Sequence, residues 1–326
     1  MRDPMQILQD YFGYSSFRPG QKELVGGLLA GRDVLGILPT GAGKSICYQV
    51  PALAQDGVTL VISPLISLMK DQVASLIQSG VKAAYLNSSL TPGQLRLAQE
   101  RAAQGWYKII YIAPERLLTE SFARVTRSVP ISLVAVDEAH CVSQWGQDFR
   151  PGYLKIREFL ETLPVRPPVG AFTATATSTV RRDIVSLLGL QNPVIACTGF
   201  DRPNLFFEVL KPHDKKMALL SLLRREDPKS AIVYCATRKA VKDVCETLNH
   251  AGICAVQYHA GLTLEERRAN QDDFLYDRAP VMVATNAFGM GIDKSDVSMG
   301  VHYNMPKNTE SYYQEAGRAG RDGSPA

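Results

Sequence analysis

Residues 39–45 read Pro-Thr-Gly-Ala-Gly-Lys-Ser and follow directly on the apolar run Val34-Leu35-Gly36-Ile37-Leu38. A strand running into a glycine-rich turn that ends in Lys and Ser aims several backbone N–H groups and one ammonium at a single small volume. That volume suits a nucleotide polyphosphate, with the Ser hydroxyl left for a Mg²⁺ ion. The usual phosphate-binding loop carries a Gly five residues before Gly43, where this chain has Leu38, so the match is to the Thr-Gly-x-Gly-Lys-Ser variant. A bare turn without ligand is the competing reading, and a second string weighs against it. Leu133-Val134-Ala135-Val136 runs into Asp137-Glu138-Ala139-His140. Ligands of a parallel sheet gather beyond the carboxyl ends of its strands, where both strings would lie. There Asp137 is suited to hold Mg²⁺ against the β- and γ-phosphates, and Glu138 to orient and deprotonate an attacking water. Lys44 would neutralise phosphate charge, and Ser45 would supply a metal-ligating oxygen.

A third string, from Glu310 through Gln314-Glu315-Ala316-Gly317-Arg318-Ala319-Gly320-Arg321 to Gly323, lies near the C-terminus. If it is helical throughout, Gln314, Arg318 and Arg321 fall at i, i+4 and i+7 and share a face. Two guanidiniums and an amide on one face make a phosphate clamp.

The elements that must position these groups follow from the apolar pattern. Val34–Leu38, Val58–Ser63, Lys108–Ala113, Leu133–Asp137 and Val169–Thr173 are short β-type runs separated by helix-type stretches such as Leu65–Gly80 and Thr91–Gly105. Near-continuous apolar strands alternating with helices argue a parallel sheet covered on both faces. The alternation restarts with strands at Ala231–Cys235, Ala255–Tyr258, Val281–Thr285 and Gly300–Tyr303, and with helices at Arg238–Ala251 and Leu264–Phe274. Between the two sets, Thr198–Leu205 is turn-rich and suits a link. The expected fold is α/β, with two lobes, residues 1–204 and 205–326, each a mostly parallel sheet flanked by helices.

Composition bounds the rest. At 326 residues the chain exceeds the size of a single hydrophobic core. With 45% hydrophobic and 21% charged residues it is globular, and no apolar run reaches the about 18 residues that span a bilayer. No signal-peptide core follows Met1, so a soluble, cytoplasmic chain is expected. The six cysteines form no C-x-x-C pair and the five histidines no H-x₃₋₅-H clip, so reduced, buried thiols and no structural zinc are expected. A net charge of +4 permits a nucleic-acid partner without demanding one.

The acid tetrad with the upstream glycine-rich turn resembles a superfamily 2 helicase. Phe17-Arg18-Pro19-Gly20-Gln21, and Cys141 through Trp145, Phe149 and Arg150 to Pro151, resemble the RecQ family of DNA helicases, whose aromatic-rich loop the second string matches. The resemblance implies two tandem RecA-like lobes, ATP and Mg²⁺ in the cleft between them, and single-stranded DNA crossing both. The nucleotide would be held by Thr40, Gly41, Ala42, Gly43, Lys44 and Ser45. Gln21 would read the adenine edge, with Tyr14 and Arg18 stacking on the ring; core packing is the other reading of Tyr14. Ser63 and Gln72, in a strand-binding motif, would meet DNA phosphates, as would Thr237, Arg238, Thr285 and Asn286 at strand ends of the second lobe. His259 is read equally as a phosphate contact or a hydrogen-bonded structural residue. Trp145, Phe149 and Arg150 would stack bases and report bound DNA to Glu138. Arg321 would be an arginine finger on the γ-phosphate, brought in by lobe closure.

Two residues depart from the family's habit: Gln147 replaces a common His in the aromatic loop, and Ser298 replaces an Arg. The chain stops soon after Gly323, where many relatives continue into zinc-binding and winged-helix domains. The implied activity is DNA-stimulated ATP hydrolysis driving 3′-to-5′ movement and unwinding of tailed duplexes. An ATP-gated single-strand-binding ATPase with little unwinding is the alternative, and an RNA-directed motor the third.

Overall fold

The computed structural model describes residues 2–146, 148–199, 201–285 and 294–326, the side chain of Glu310 excepted. The predicted positions Gln147 and Asn286 lie outside the described residues. The chain divides into two compact units, residues 1–200 and 201–326.

In the first unit the elements are α1 (Pro4–Phe12), α2 (Gln21–Leu29), β1 (Val34–Ile37), α3 (Ile46–Ala54), β2 (Val58–Ile62), α4 (Ile66–Gln78), β3 (Ala83–Leu86) and α5 (Pro92–Ala103). They continue as β4 (Ile109–Ile112), α6 (Glu120–Ser128), β5 (Ile131–Val136), α7 (Lys155–Thr162), β6 (Val169–Thr173), α8 (Ser178–Leu187) and β7 (Val194–Cys197). The expected strands are present, four of the five ending one residue earlier than read, because Leu38, Ser63, Ala113 and Asp137 already belong to the loops that carry the site. All seven strands are parallel, in the order β3-β4-β2-β5-β6-β1-β7. Residues of β1, β2, β4 and β6 are buried throughout, as strands covered on both faces require. Register ends the strands in two near steps at the same edge: Ile37 pairs with Thr173 and Ile62 with Val136, and Val136 in turn pairs with Ala171, two residues before the end of β6. The glycine-rich turn, the acids and the Thr173 strand end therefore open on one edge of one sheet.

Local signals fix the helices. The predicted start at Thr91-Pro92 is a full capping box, with Thr91 accepting from the Gln94 backbone and Gln94 returning the bond. Apolar side chains fill both faces of the sheet, Phe122, Phe159 and Tyr153 on one side and Tyr48, Tyr111 and Phe172 on the other.

At the opposite ends of the strands, Asp33 ties three of them together. Its buried carboxylate receives Arg166 in a two-pronged pair (3.0 and 2.7 Å) and the backbone N–H groups of Val169 (2.8 Å) and Gln191 (2.6 Å). Arg166 also donates to the carbonyls of Gly189 (3.0 Å) and Pro167 (3.4 Å), which holds its guanidinium against the carboxylate. Asp33→Ala leaves Arg166 and two amides uncompensated and should destabilise the unit by about 3 kcal/mol in urea denaturation. A loss below about 1 kcal/mol would show the cluster to be solvated rather than structural.

The second unit contains α9 (Lys215–Glu226), β8 (Ala231–Tyr234), α10 (Arg238–His250), β9 (Ala255–Tyr258), α11 (Leu264–Leu275), β10 (Val281–Ala284), β11 (Met299–His302) and α12 (Thr309–Ala316). Its described sheet is parallel, in the order β11-β8-β10-β9. The helix expected to carry Gln314, Arg318 and Arg321 on one face ends at Ala316, and the two arginines follow it in turns. Gly317 caps the helix and Gly320 adopts φ +57°, a left-handed turn no helix continues through. The shared-face reading is therefore corrected to a helix followed by a glycine-built turn. Two of the six thiols, Cys197 and Cys254, are exposed rather than buried. Among the described residues no helix is long and apolar enough to cross a membrane.

Candidate nucleotide and nucleic-acid sites

The glycine-rich turn leaves β1 with Gly41 at φ +84° and Gly43 at φ +74°. A side chain at Gly43 would be strained by that angle and would also sit 2.7 Å from the Gln21 amide nitrogen. Gln21 is bound to the loop itself. Its Nε2 donates to the carbonyls of Ala42 (2.8 Å) and Gly43 (3.0 Å), while its Oε1 accepts from the Arg18 backbone (2.9 Å). Arg18 in turn donates to the Gly41 carbonyl, and its guanidinium lies 5.9 Å from the Tyr14 ring centre. Tyr14 is exposed, so core packing does not explain it. Lys44 reaches the Leu38 carbonyl at 3.4 Å, and Ser45 stands immediately before α3. The structure thus gathers Tyr14, Arg18, Gln21 and residues 40–45 around one loop.

Asp137 and Glu138 follow β5. Glu138 takes φ +47°, a left-handed conformation costly for a residue with a Cβ. Tyr153 donates from its hydroxyl to the Asp137 carbonyl at 2.8 Å and so fixes the peptide from behind. The Asp137 carboxyl is buried and is pushed up to about 7, first by burial and then by the Glu138 charge, with Lys44 pulling the other way. Glu138 Oε2 is also buried and has no hydrogen-bond partner. A buried acid beside a half-buried one whose inner oxygen has no hydrogen-bond partner fits a divalent cation, which would relieve both costs at once.

His140 is the residue sequence reasoning passed over. Its Nδ1 lies 3.0 Å from Thr173 Oγ1 at the end of β6 and 3.4 Å from Glu138 Oε2. Burial lowers its pKa, so the ring is neutral and can hold one hydrogen-bonding pattern. The signal was available: a His closing the acid tetrad, and a Thr closing the neighbouring apolar run.

In the second unit Arg318 is buried, and Gln314 and Arg321 are half-buried. Beneath them His302 pairs with Glu315 at 3.0 Å and stacks on Tyr234, ring centres 5.3 Å apart. Arg202 and Asn204, read from sequence as part of a link, also reach this turn. Arg202 donates to the carbonyls of Ala319 (3.0 Å) and Gly320 (2.6 Å), and Asn204 donates to Gly320 (2.9 Å).

Comparison with known families agrees with this geometry. The DEAD/DEAH box helicase model matches residues 18–183, and the helicase conserved C-terminal domain model matches residues 214–323. The chain belongs to the DEAD/DEAH box helicase family. Among curated relatives, the ATP-dependent DNA helicase RecQ of Pasteurella multocida is 46% identical over 99% of this chain and 51% of its own length. That of Bacillus subtilis is 47% identical over 97% of this chain and 54% of its own. The RecQ resemblance is borne out, and the chain spans about half the length of these relatives. A DNA-bound MrfA helicase structure superposes with a TM-score of 0.77 at 18% identity, covering 98% of this chain and 49% of its own. Dbp5 of S. cerevisiae, bound to RNA and ADP BeF3, gives 0.74 at 20%, covering 98% and 84%. At those identities the likeness is one of fold, and it bears out the two RecA-like lobes.

In this chain the candidate DNA contacts are unevenly placed. Trp145 is 78% exposed. It is held out by a scaffold: its N–H donates to Ser143 Oγ (3.2 Å), and that hydroxyl donates to Asp183 (2.6 Å). Next to it, any side chain at Gly146 would collide with the His140 carbonyl at 2.1 Å. Phe149 is half-buried. Arg150 pairs with Asp148 at 2.8 Å and donates to the Pro64 carbonyl at 3.0 Å, which joins the aromatic loop to the strand-binding segment. Gln72 accepts from Gln49 at 3.0 Å. Ser63 is fully buried with its hydroxyl unpartnered. Thr237 caps α10 by accepting from the Ala240 N–H (3.1 Å), with Arg238 the first residue of that helix. His259 accepts from the Gly261 N–H at 3.2 Å, the structural alternative, with Arg238 beside it. Thr285 follows β10, and Asn286 lies outside the described residues.

Proposed function

We propose that this chain is the ATP-driven motor of a RecQ-type DNA helicase, with lobes of residues 1–204 and 205–326. The observation that carries the reading is the parallel pairing of β1, β5 and β6, whose carboxyl ends open on the same edge of the sheet. It sets Lys44, Ser45, Asp137, Glu138 and Thr173 around one sheet edge, in a chain whose relatives are named ATP-dependent DNA helicases. The backbone N–H groups of residues 41–45 and the Lys44 ammonium bind the phosphates. Tyr14, Arg18 and Gln21 hold the adenine, the glutamine amide exchanging its loop carbonyls for the base edge. Ser45 and Asp137 hold Mg²⁺, which when bound neutralises charge on the β- and γ-phosphates. Glu138 orients the attacking water and takes its proton. Gln314, Arg318 and Arg321 supply positive charge to the γ-phosphate from the second lobe.

DNA enters this reading through Ser63, Gln72, Trp145, Phe149, Arg150, Thr237, Arg238, Thr285 and Asn286. The exposed Trp145 stacks on bases, and the short path from its loop through Cys141 and His140 to Glu138 couples strand binding to hydrolysis. The working direction is 3′ to 5′, on single-stranded or tailed duplex DNA, in the cytoplasm at the nucleoid.

The test is ATP hydrolysis with and without single-stranded DNA, paired with strand displacement on a 3′-tailed duplex. Stimulation with displacement is expected. Hydrolysis indifferent to DNA would overturn the motor reading, and stimulation by RNA over DNA would redirect it to an RNA substrate. Trp145→Ala should remove most of the DNA stimulation, about tenfold or more, while basal hydrolysis changes less than about threefold. An equal fall in both would make the loop structural.

A further inference from the structure

The four last carbonyls of an α-helix have no partner within the helix and sit at the negative end of its dipole. α12 ends at Ala316, and the arginines assigned to the phosphate follow within five residues. Something must hold the carbonyls of that turn, since its path decides where Arg318 and Arg321 point. The turn has little stiffness of its own: Gly317 and Gly320 flank Arg318 and Ala319.

Arg202 meets that need. One guanidinium reaches three carbonyls, donating from Nη2 to Ala319 (3.0 Å) and Gly320 (2.6 Å) and from Nη1 to Gly317 (3.4 Å). Asn204 accepts from Arg202 Nε (3.3 Å) and donates to the carbonyls of Gly320 (2.9 Å) and Ser324 (2.8 Å). The Gly320 carbonyl therefore accepts from both residues. That carbonyl shares its peptide plane with the N–H of Arg321, so fixing it fixes the direction in which the Arg321 side chain leaves the backbone. On the other side, the Gly320 N–H donates to Val297 (2.8 Å) and the Asp322 N–H to Ser295 (3.1 Å). Gly320 is left no room: a Cβ there would stand 2.4 Å from the Asn204 amide nitrogen.

We propose that Arg202, aided by Asn204, is a positioning residue for the Arg321 guanidinium, acting through the carbonyls of the 317–320 turn. Its charge faces the helix terminus and its fork fits several acceptors at once, which a lysine ammonium on a flexible stem does not reproduce. The proposal rests on the arginine-finger assignment made above, and the experiment separates the two.

Single-turnover ATP hydrolysis in the presence of single-stranded DNA, sensitive enough to follow a slow background, is measured for Arg202→Ala, Arg202→Lys, Asn204→Ala, Arg321→Ala and the double variants with Arg321→Ala. Arg202→Ala should lower kcat by about 10²-fold, the scale of a misplaced catalytic group, with KM for ATP changed less than about threefold. Arg202→Lys should recover only part of the loss, and Asn204→Ala should lose less in the same direction. In the Arg321→Ala background, Arg202→Ala and Asn204→Ala should each have less than about twofold further effect, because the group they position is gone. Equal losses in both backgrounds would overturn the proposal, as would an Arg202→Lys protein as active as the parent. Thermal unfolding runs alongside. If Arg202→Ala does not fold, Arg202→Lys and Asn204→Ala carry the same comparison. If Arg321→Ala leaves hydrolysis unchanged, the finger assignment itself fails, a result distinguishable from a fault in the positioning argument.

Discussion

Glu138→Gln is expected to lower DNA-stimulated ATP hydrolysis by about 10²–10⁴-fold while ATP still binds. Gln keeps the length and one acceptor oxygen of Glu but cannot take a proton from water. Its backbone stays under the same constraints, with Tyr153 behind Asp137 and the strand partners of β5 unchanged. The fold should survive or gain. Glu138 is one of the causes that push the Asp137 carboxyl up to about 7, after burial. A buried acid raised in this way favours the folded state while it is protonated, and that contribution is lost as pH rises through about 7. Removing the Glu138 charge eases the ionisation, so the melting temperature of the variant relative to the parent should rise between pH 5 and pH 8, by a few degrees at most. Full hydrolysis by the variant would remove Glu138 from the mechanism. Lys44→Ala should be as inactive for a different reason, loss of ATP affinity together with loss of phosphate neutralisation.

Arg321→Ala carries the largest expected loss, about 10³–10⁵-fold in kcat, if its guanidinium meets the γ-phosphate as a finger does. ATP affinity should change far less, because the finger acts on charge that develops in the transition state. Measuring kcat and ATP dissociation separately decides the matter. A loss confined to affinity would make Arg321 a binding group, and a loss below about tenfold would remove the finger role from it.

Much of this was legible in the chain because buried parallel strands leave a strong mark. β1, β2, β4 and β6 are buried from end to end and mostly apolar, and the sequence shows them directly. The two strands absent from the sequence reading, β3 and β7, lie at the sheet's edges and are only partly covered; Ala-Ala-Tyr-Leu and Val-Ile-Ala-Cys are apolar, but a run of four residues does not by itself distinguish a strand. The glycine-rich turn and the acid tetrad announce themselves through residues with few other uses at that spacing. The Asp33 cluster does not, since its partners stand 133, 136 and 158 residues away and nothing local predicts the meeting. The same holds for Arg202, whose contacts span 115 to 118 residues. A helical reading of 314–321 failed where two glycines outweighed a favourable spacing.

The left-handed backbone at Glu138 bears on how such a protein changes under selection. A residue with a Cβ at φ +47° costs its fold about 1–2 kcal/mol, and glycine at the same place costs nearly nothing. Half-burying an acid there adds to the burden. A library of this chain sorted for heat resistance alone would therefore drift away from glutamate at position 138. Its most durable members would be those that had stopped hydrolysing ATP.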